Sequence, residues 1–189
     1  MLNKKILKTN NMKDIAIVIG HTIDSKGACS PFGVPCEWDF NSKVASYLTD
    51  IADIFTYSNY KSGYTTMVKR NAAKINKGNY KLVIELHYNA AVDSSANGCK
   101  TLYYFKNKVG KYLAEQSSKI ISQDMGVKDR GITALVNAND RGFAAVYYPN
   151  PTTILLEPFF GSNNLDTSKF IGNEEKYSKS IRKIINLVK

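Results

Sequence analysis

Blocks of apolar and polar residues alternate along the chain and predict strands and helices in turn. Two continuous apolar runs, IAIVIG at 15–20 and LVIEL at 82–86, are typical of strands that are covered on both faces of a parallel sheet. Three further runs also predict strands: ADIFTYS, CKTLYYF and TTILLEPFF.

Most segments between these strands carry apolar residues at helical spacing, which predicts helices. In EWDFNSKVASYLTDIA, the apolar residues at helical spacing are Phe40, Val44, Leu48 and Ile51. TTMVKRNAAKINKG predicts a second helix that closes at Gly78, and VGKYLAEQSSKIISQDMG predicts a third that ends near Gly126. The last segment, NEEKYSKSIRKIINLVK, has its acidic residues first and its basic residues last, as the helix dipole favours.

This alternation predicts the α/β class: a single domain with a mostly parallel twisted sheet and helices on both faces. No Pro/Gly/Ser-rich linker or internal repeat divides residues 14–189. Residues 1–13 form a basic stretch that we expect to be a disordered arm. This stretch lacks the apolar core and cleavage site of a secretory signal, so export by that route is not expected.

The charge pattern of the chain limits the classes of partner that we expect it to bind. The net charge is +10, and only four of the 26 basic residues are arginine. The lysines are dispersed, whereas proteins that read nucleic-acid bases rely on arginine forks, so we expect no nucleic-acid partner. Diffuse attraction to a polyanion, or an ordinary solvated surface, fits this pattern better. No apolar run approaches the roughly 18 residues of a membrane span, so membrane insertion is not expected.

The chain has three cysteines, Cys29, Cys36 and Cys99. An odd number without a CxxC pair argues against a disulfide framework and against an all-thiolate zinc site. We therefore expect three small, half-buried thiols in a reducing compartment.

Two of the predicted strands are followed directly by a histidine. His21 follows IAIVIG, His87 follows LVIEL, and Glu157 ends TTILLE; the chain has no other histidine. Each of these residues alone would be an ordinary loop or turn residue. Together they predict a cluster, because ligands of open α/β sheets bind at the carboxyl ends of the strands. Two imidazoles and a carboxylate suit a catalytic zinc site.

The carboxylates near this cluster have several possible roles, and their spacing does not choose among Glu37, Asp39, Glu85 and Glu157. Glu85 lies two residues before His87, on the same strand face and about 6 to 7 Å away. It could hold an imidazole or a loop, or it could be a buried carboxylate paired with a neighbouring strand or with a lysine or arginine. Glu37 opens a helix, where an acidic residue is common.

Seven stretches follow one another in the order typical of one enzyme family: IGHTIDSKGA, EWDFNSKVASYL, RNAAKIN, IELHYNA, NGCKTLYYF, DRGI and LLEPFFGSNNLD. In this order and spacing the sequence resembles the catalytic domain of the zinc-dependent N-acetylmuramoyl-L-alanine amidases of type 3. These are the peptidoglycan hydrolases of bacterial autolysins and many phage endolysins. The resemblance runs from about Ile15 to the C-terminus.

The resemblance implies roles for individual residues. His21, Glu37 and His87 would be the zinc ligands, and Glu157 would be the catalytic carboxylate. Zinc-activated water would then cleave the amide between N-acetylmuramic acid and the L-alanine of the stem peptide. Asn89 is a candidate for substrate contact, with loop capping as the alternative.

The sequence also departs from the family pattern. IGHT replaces the usual Asp-Pro-Gly-His-Gly motif, and Glu85 stands where many members carry a small or uncharged residue. Glu85 is therefore a candidate for tuning His87 or for contacting substrate. Arg130 and Arg141 lie near glycines and could face stem-peptide carboxylates, although a surface position is the simpler expectation.

We expect the protein to be a phage endolysin. It would stay in the host cytoplasm until release and then cause cytolysis by degrading the cell wall. An intracellular or spore-lysis amidase would have a similar sequence. The positive charge could draw the protein to anionic wall polymers. The rival functions are a zinc peptidase that cuts within the stem peptide and a basic binding module without chemistry.

Overall fold

The computed structural model describes residues 13–29, 33, 35–58 and 63–189. Its strands are β1 (Ile15–Ile19), β2 (Asp53–Thr56), β3 (Leu82–Leu86), β4 (Cys99–Tyr104), β5 (Asp129–Leu135) and β6 (Thr152–Glu157). Its helices are α1 (Glu37–Ser46), α2 (Tyr64–Ile75), α3 (Lys108–Met125), α4 (Phe143–Tyr147), α5 (Asn164–Phe170) and α6 (Glu174–Ile185), followed by a 3-10 turn at Asn186–Val188.

The six strands form one sheet in the order β2-β1-β3-β6-β4-β5. Neighbouring strands run parallel except for β4 and β6, which are antiparallel. Ile19 pairs with Leu86, and Leu86 pairs with Leu156. The carboxyl ends of β1, β3 and β6 are therefore level at one edge of the sheet.

Both faces of the sheet are covered by helices, because successive side chains of a strand point to opposite faces. On one face Ile17 and Ile84 belong to a core shared with α1, α3 and α6. On the other face Val18 and Val83 pack with residues of α2 and α4. The predicted α/β architecture, a mostly parallel sheet with helices on both faces, is confirmed. Among the described residues, no helix is both long enough and apolar enough to cross a membrane.

The predicted elements differ from the observed ones mainly at their ends. Helix α1 ends at Ser46, although the apolar spacing continues to Leu48 and Ile51, which lie in the turns that follow. Helix α2 ends before Gly78, with Asn76 as its C-cap. Helix α3 ends as predicted at Gly126, whose φ of 69° is left-handed.

Three elements have no counterpart in the sequence prediction: β5, α4 and α5. Strand β5 is exposed or half-buried except at its last residue, so it lacks a continuous apolar run. Helices α4 and α5 have five and seven residues, which is too short for a helical period to be recognised.

The predicted disordered arm lies outside the described residues, apart from Lys13. The ammonium group of Lys13 donates hydrogen bonds to the carbonyl oxygens of Thr49 and, at 3.2 Å, of Ala52. This end of the arm is therefore fixed against the turn before β2.

The prediction of three free thiols is wrong, because Cys29 and Cys36 form a disulfide. The backbone N–H of Glu37 donates to the carbonyl of Ala28 (2.8 Å), which brings the two ends of the intervening loop together. That proximity is a tertiary effect that the spacing of cysteines in the sequence does not reveal. Cys99 is a free thiol, as expected, but it is fully buried rather than half-buried.

We predict that the double substitution Cys29→Ser with Cys36→Ser lowers the free energy of unfolding by about 2 kcal/mol, because the unfolded chain loses a cross-link. Urea denaturation with and without dithiothreitol measures the effect. The unmodified protein should lose the same amount in reductant, whereas the double variant should not respond. An unmodified protein whose denaturation midpoint ignores reductant would contradict a stabilising disulfide.

Candidate metal centre

Three side chains from separate segments converge at the carboxyl edge of the sheet: those of His21, Glu37 and His87. One nitrogen or oxygen atom from each lies within 4.8 Å of the other two. The Glu37 carboxylate stands between the two rings. Its Oε2 is 3.0 Å from Nε2 of His21, and its Oε1 is 2.7 Å from Nδ1 of His87.

Parallel pairing brings the two histidines to the same level. The N–H of Gly20 donates to the carbonyl of Leu86 (3.0 Å), which extends the ladder between β1 and β3 to its last residues. A Cβ on Gly20 would lie 2.4 Å from the His87 ring, so this position must lack a side chain. His21 has a φ of 65°, a left-handed conformation that turns the chain sharply after β1.

A second glycine, Gly27, leaves room for the Glu37 carboxylate. A Cβ on Gly27 would lie 2.6 Å from Oε2 of Glu37 and 2.6 Å from Nε2 of His21. The φ of Gly27 is 77°, which also disfavours a side chain. Any other residue here would displace one of the two facing side chains.

Glu37 is 2% exposed and is held by backbone donors. The N–H of Tyr88 donates to Oε1 (3.0 Å), and the N–H of Ala28 donates to Oε2 (3.2 Å). Burial raises the pKa of Glu37, but the adjacent His21 and His87 rings outweigh burial and hold this pKa well below its ordinary value. The group is therefore a carboxylate throughout the physiological range.

His87 lies between two carboxylates. Its Nδ1 faces Glu37, and its Nε2 is 2.9 Å from Oε1 of Glu85. Burial lowers the pKa of His87, but Glu37 and Glu85 together raise it to about 10. Without a metal, the ring is therefore a cation at neutral pH and donates from both nitrogens.

The three side chains fit a metal ion. Nε2 of His21 is buried and lacks a hydrogen-bond partner among the described residues, although it points at the Glu37 carboxylate. A buried nitrogen that lies 3.0 Å from a carboxylate oxygen without a well-directed hydrogen bond is suited to a metal, since buried polar atoms normally have partners. Two imidazole nitrogens and one carboxylate oxygen would leave a further coordination position open.

Glu157 ends β6, beside His87. Its Oε2 accepts a hydrogen bond from Nδ2 of Asn89 (2.8 Å). Burial raises the pKa of Glu157, and the positive charges of His87, Lys100 and Arg141 offset only part of the increase. The residues of the metal centre, Asn89 and Glu157 line one cavity of about 560 Å³.

Asn89 combines two tasks. Its Oδ1 accepts a hydrogen bond from the N–H of Ala90 (2.9 Å), as loop capping predicts, while its Nδ2 holds Glu157. Contact of Asn89 with substrate stays a prediction.

Glu85 lies beneath His87, on the face predicted for it. Its described partners are Nε2 of His87 and the hydroxyl of Tyr57, which donates to Oε2 at 2.8 Å. Among the described contacts, Glu85 pairs with no lysine or arginine, and its second partner, Tyr57, follows the strand β2. Asp39, the remaining carboxylate considered, pairs instead with Lys26 at 2.9 Å.

Sequence reasoning missed Tyr57 as a residue of the site, and it left open whether Arg130 and Arg141 face the substrate or the surface. Tyr57 follows a strand without any motif, so nothing local marks it as a partner of Glu85. Arg141 is exposed and lines the cavity, on the segment that leads into α4. Arg130 packs over the Phe160 ring at 4.7 Å from its centroid.

Comparison with known proteins identifies the family. A family described as N-acetylmuramoyl-L-alanine amidase, Amidase_3, matches residues 15–188. The curated protein N-acetylmuramoyl-L-alanine amidase LytC of Bacillus subtilis (strain 168) is 31% identical over 90 residues, which cover 47% of this chain. The match spans only 17% of the length of LytC.

Solved structures share the fold. An N-acetylmuramoyl-L-alanine amidase from Clostridium difficile 630 superposes with a TM-score of 0.75 at 22% identity, covering 92% of this chain and 95% of that one. The catalytic domain of the CD27L endolysin, described as targeting Clostridia difficile, gives 0.74 at 26% identity, covering 92% and 96%. With the family match extending over almost the whole chain, this protein belongs to the N-acetylmuramoyl-L-alanine amidase family Amidase_3.

Proposed function

We propose that this chain is a zinc-dependent peptidoglycan hydrolase that cleaves the amide between the lactyl group of N-acetylmuramic acid and the L-alanine of the stem peptide. The observation that carries the proposal is the convergence of His21, Glu37 and His87 beside Glu157 in one cavity. Membership of the amidase family supports the choice of bond.

Zinc suits the donor set, since it favours imidazole nitrogen and carboxylate oxygen with one position left open. His21 would bind through Nε2, His87 through Nδ1, and Glu37 through its carboxylate. Bound there, zinc would act as a Lewis acid: it would polarise the scissile carbonyl and lower the pKa of a water molecule. His87 must lose its Nδ1 proton to bind, so metal binding would weaken as the pH falls.

Glu157 is proposed as the group that moves the proton. Its carboxylate would accept a proton from the attacking water and pass it to the nitrogen of the departing L-alanine. Asn89 holds Oε2 of this carboxylate at 2.8 Å and so fixes its orientation. A raised pKa suits this role, because the same group must first accept the proton and then release it.

The setting we propose is a phage endolysin that stays in the host cytoplasm until release. Similarity to the catalytic domain of the CD27L endolysin supports it. The cytoplasm keeps thiols reduced, so the Cys29–Cys36 disulfide would close after release. The net charge of +10 would favour anionic wall polymers, an attraction that salt weakens.

Cells that produce the protein should lyse only after their membrane is permeabilised. Lysis of intact cells would contradict this setting.

Digestion of purified peptidoglycan, followed by mass spectrometry, tests the proposed reaction. The expected products are intact stem peptides with a free L-alanine amine. A chelator should stop their release and added zinc should restore it. Shortened stem peptides would indicate a peptidase instead, and uncut peptidoglycan would indicate a binding module.

Replacing Glu157 with Gln is predicted to reduce kcat by about 10²- to 10⁴-fold, because the amide cannot accept the proton of the attacking water. Zinc content should stay at one per chain. In the unmodified protein, kcat/KM should fall as the pH drops through a value above the ordinary pKa of a glutamate, since Glu157 must be ionised to act as base. With zinc kept saturating at each pH, this acidic limb should be absent from the residual activity of the variant.

The matched control is Glu115→Gln, on an exposed helix surface where Glu115 pairs with Lys111. It should leave kcat, zinc content and the pH profile unchanged. A Glu157→Gln protein that retains full turnover would remove the role proposed for Glu157.

A further inference from the structure

We propose that Glu85, held by Tyr57, is a positioning residue that fixes the proton of His87 on Nε2 and thereby presents Nδ1 to the metal. This inference rests on the metal centre proposed above. It gives a role to Glu85, which departs from the family pattern, and to Tyr57, which no sequence motif marks.

Both carboxylate oxygens of Glu85 are used. Oε1 lies 2.9 Å from Nε2 of His87, and Oε2 accepts the hydroxyl proton of Tyr57 at 2.8 Å. Glu85 is 2% exposed, so water competes little for either oxygen. With both ends of the carboxylate bound, its orientation beneath the His87 ring is fixed.

The sheet brings these three residues together. Glu85 and His87 are two positions apart on one face of the same strand segment, so their side chains stand side by side. Tyr57 follows β2, which is separated from β3 by β1, and its hydroxyl therefore reaches across β1 to Glu85. Residues of two strand segments, β2 and β3, thus contribute to the position of one imidazole ring.

The surroundings make a purely structural role costly. Tyr57 belongs to an apolar cluster that also contains Met67, Val68 and Val83. An isolated carboxylate in such surroundings would carry a large desolvation penalty unless charge and hydrogen bonds compensate it. Glu37 and Glu85 together carry two negative charges, which would balance a divalent cation held by two neutral imidazoles.

The hydrogen bond to Glu85 determines which nitrogen of His87 is available. A neutral imidazole carries one proton, and the acceptor beside one nitrogen fixes that proton there. Glu85 lies at Nε2, so the lone pair is left on Nδ1, the atom that faces Glu37 at 2.7 Å. His21 offers Nε2 instead, so the two histidines would bind through different nitrogens. Carboxylate partners of this kind typically contribute about 10- to 100-fold to metal affinity.

Zinc affinity and ring spectroscopy test this inference together. Affinity is measured by competition with a chromophoric chelator for the unmodified protein, Glu85→Gln, Glu85→Ala, Tyr57→Phe and the surface control Glu115→Gln. We expect a loss of about tenfold for Glu85→Gln, about 100-fold for Glu85→Ala, a smaller loss for Tyr57→Phe and no change for the control.

Nitrogen-15 NMR of the zinc-loaded protein reports the proton directly, and its four imidazole nitrogens come from two histidines. In the unmodified protein, His87 should show a protected proton on Nε2 and a metal-bound Nδ1. Glu85→Ala should lose that protection, while Glu85→Gln should retain part of it, because its amide oxygen still accepts. A role confined to folding would not move these ring signals in a folded variant.

Folded Glu85 variants with unchanged zinc affinity and ring signals would overturn the inference, as would a His87 that binds zinc through Nε2. In either case, peptidoglycan cleavage by the unmodified protein would leave the proposed function standing. Tyr57→Phe keeps the test decisive if the Glu85 variants do not fold, since unchanged affinity and signals there would remove the Tyr57 support. An unmodified protein that binds no zinc would overturn both the inference and the proposed zinc mechanism.

Discussion

One buried carboxylate between two imidazole rings is the interaction on which the site depends. Glu37 can occupy this position because its charge is compensated on each side by His21 and His87 and by the N–H groups of Ala28 and Tyr88. The surrounding chain is constrained accordingly: Gly27 must lack a side chain, and a disulfide closes the loop that ends at α1.

The parallel sheet supplies the remaining geometry. Since β1, β3 and β6 end at one level, His21, His87 and Glu157 reach a common cavity without any long loop having to place them. The face of β3 that carries His87 also carries Glu85, which reaches the ring from within the apolar layer beneath it. The proposed metal ligands therefore lie at the sheet edge, and Glu85, which we propose orients one of them, lies deeper on the same face.

Sequence patterns predicted the α/β class and most strands, because buried parallel strands are continuous apolar runs. Local order also made the two histidines conspicuous, since each directly follows such a run. Glu37 could not be chosen by spacing, because a glutamate that opens a helix is commonplace; family resemblance singled it out. Tyr57 and the Cys29–Cys36 disulfide depend on residues that meet only in the folded chain, and β5 is too exposed to show an apolar pattern.

Anomalous X-ray diffraction at the zinc absorption edge, on crystals grown with zinc, would show whether His21, Glu37 and His87 bind the metal. We expect one strong peak bounded by Nε2 of His21, the Glu37 carboxylate and Nδ1 of His87, with Glu157 across a position open to water. Zinc bound elsewhere, or held by His87 through Nε2 with Glu85 displaced, would contradict it.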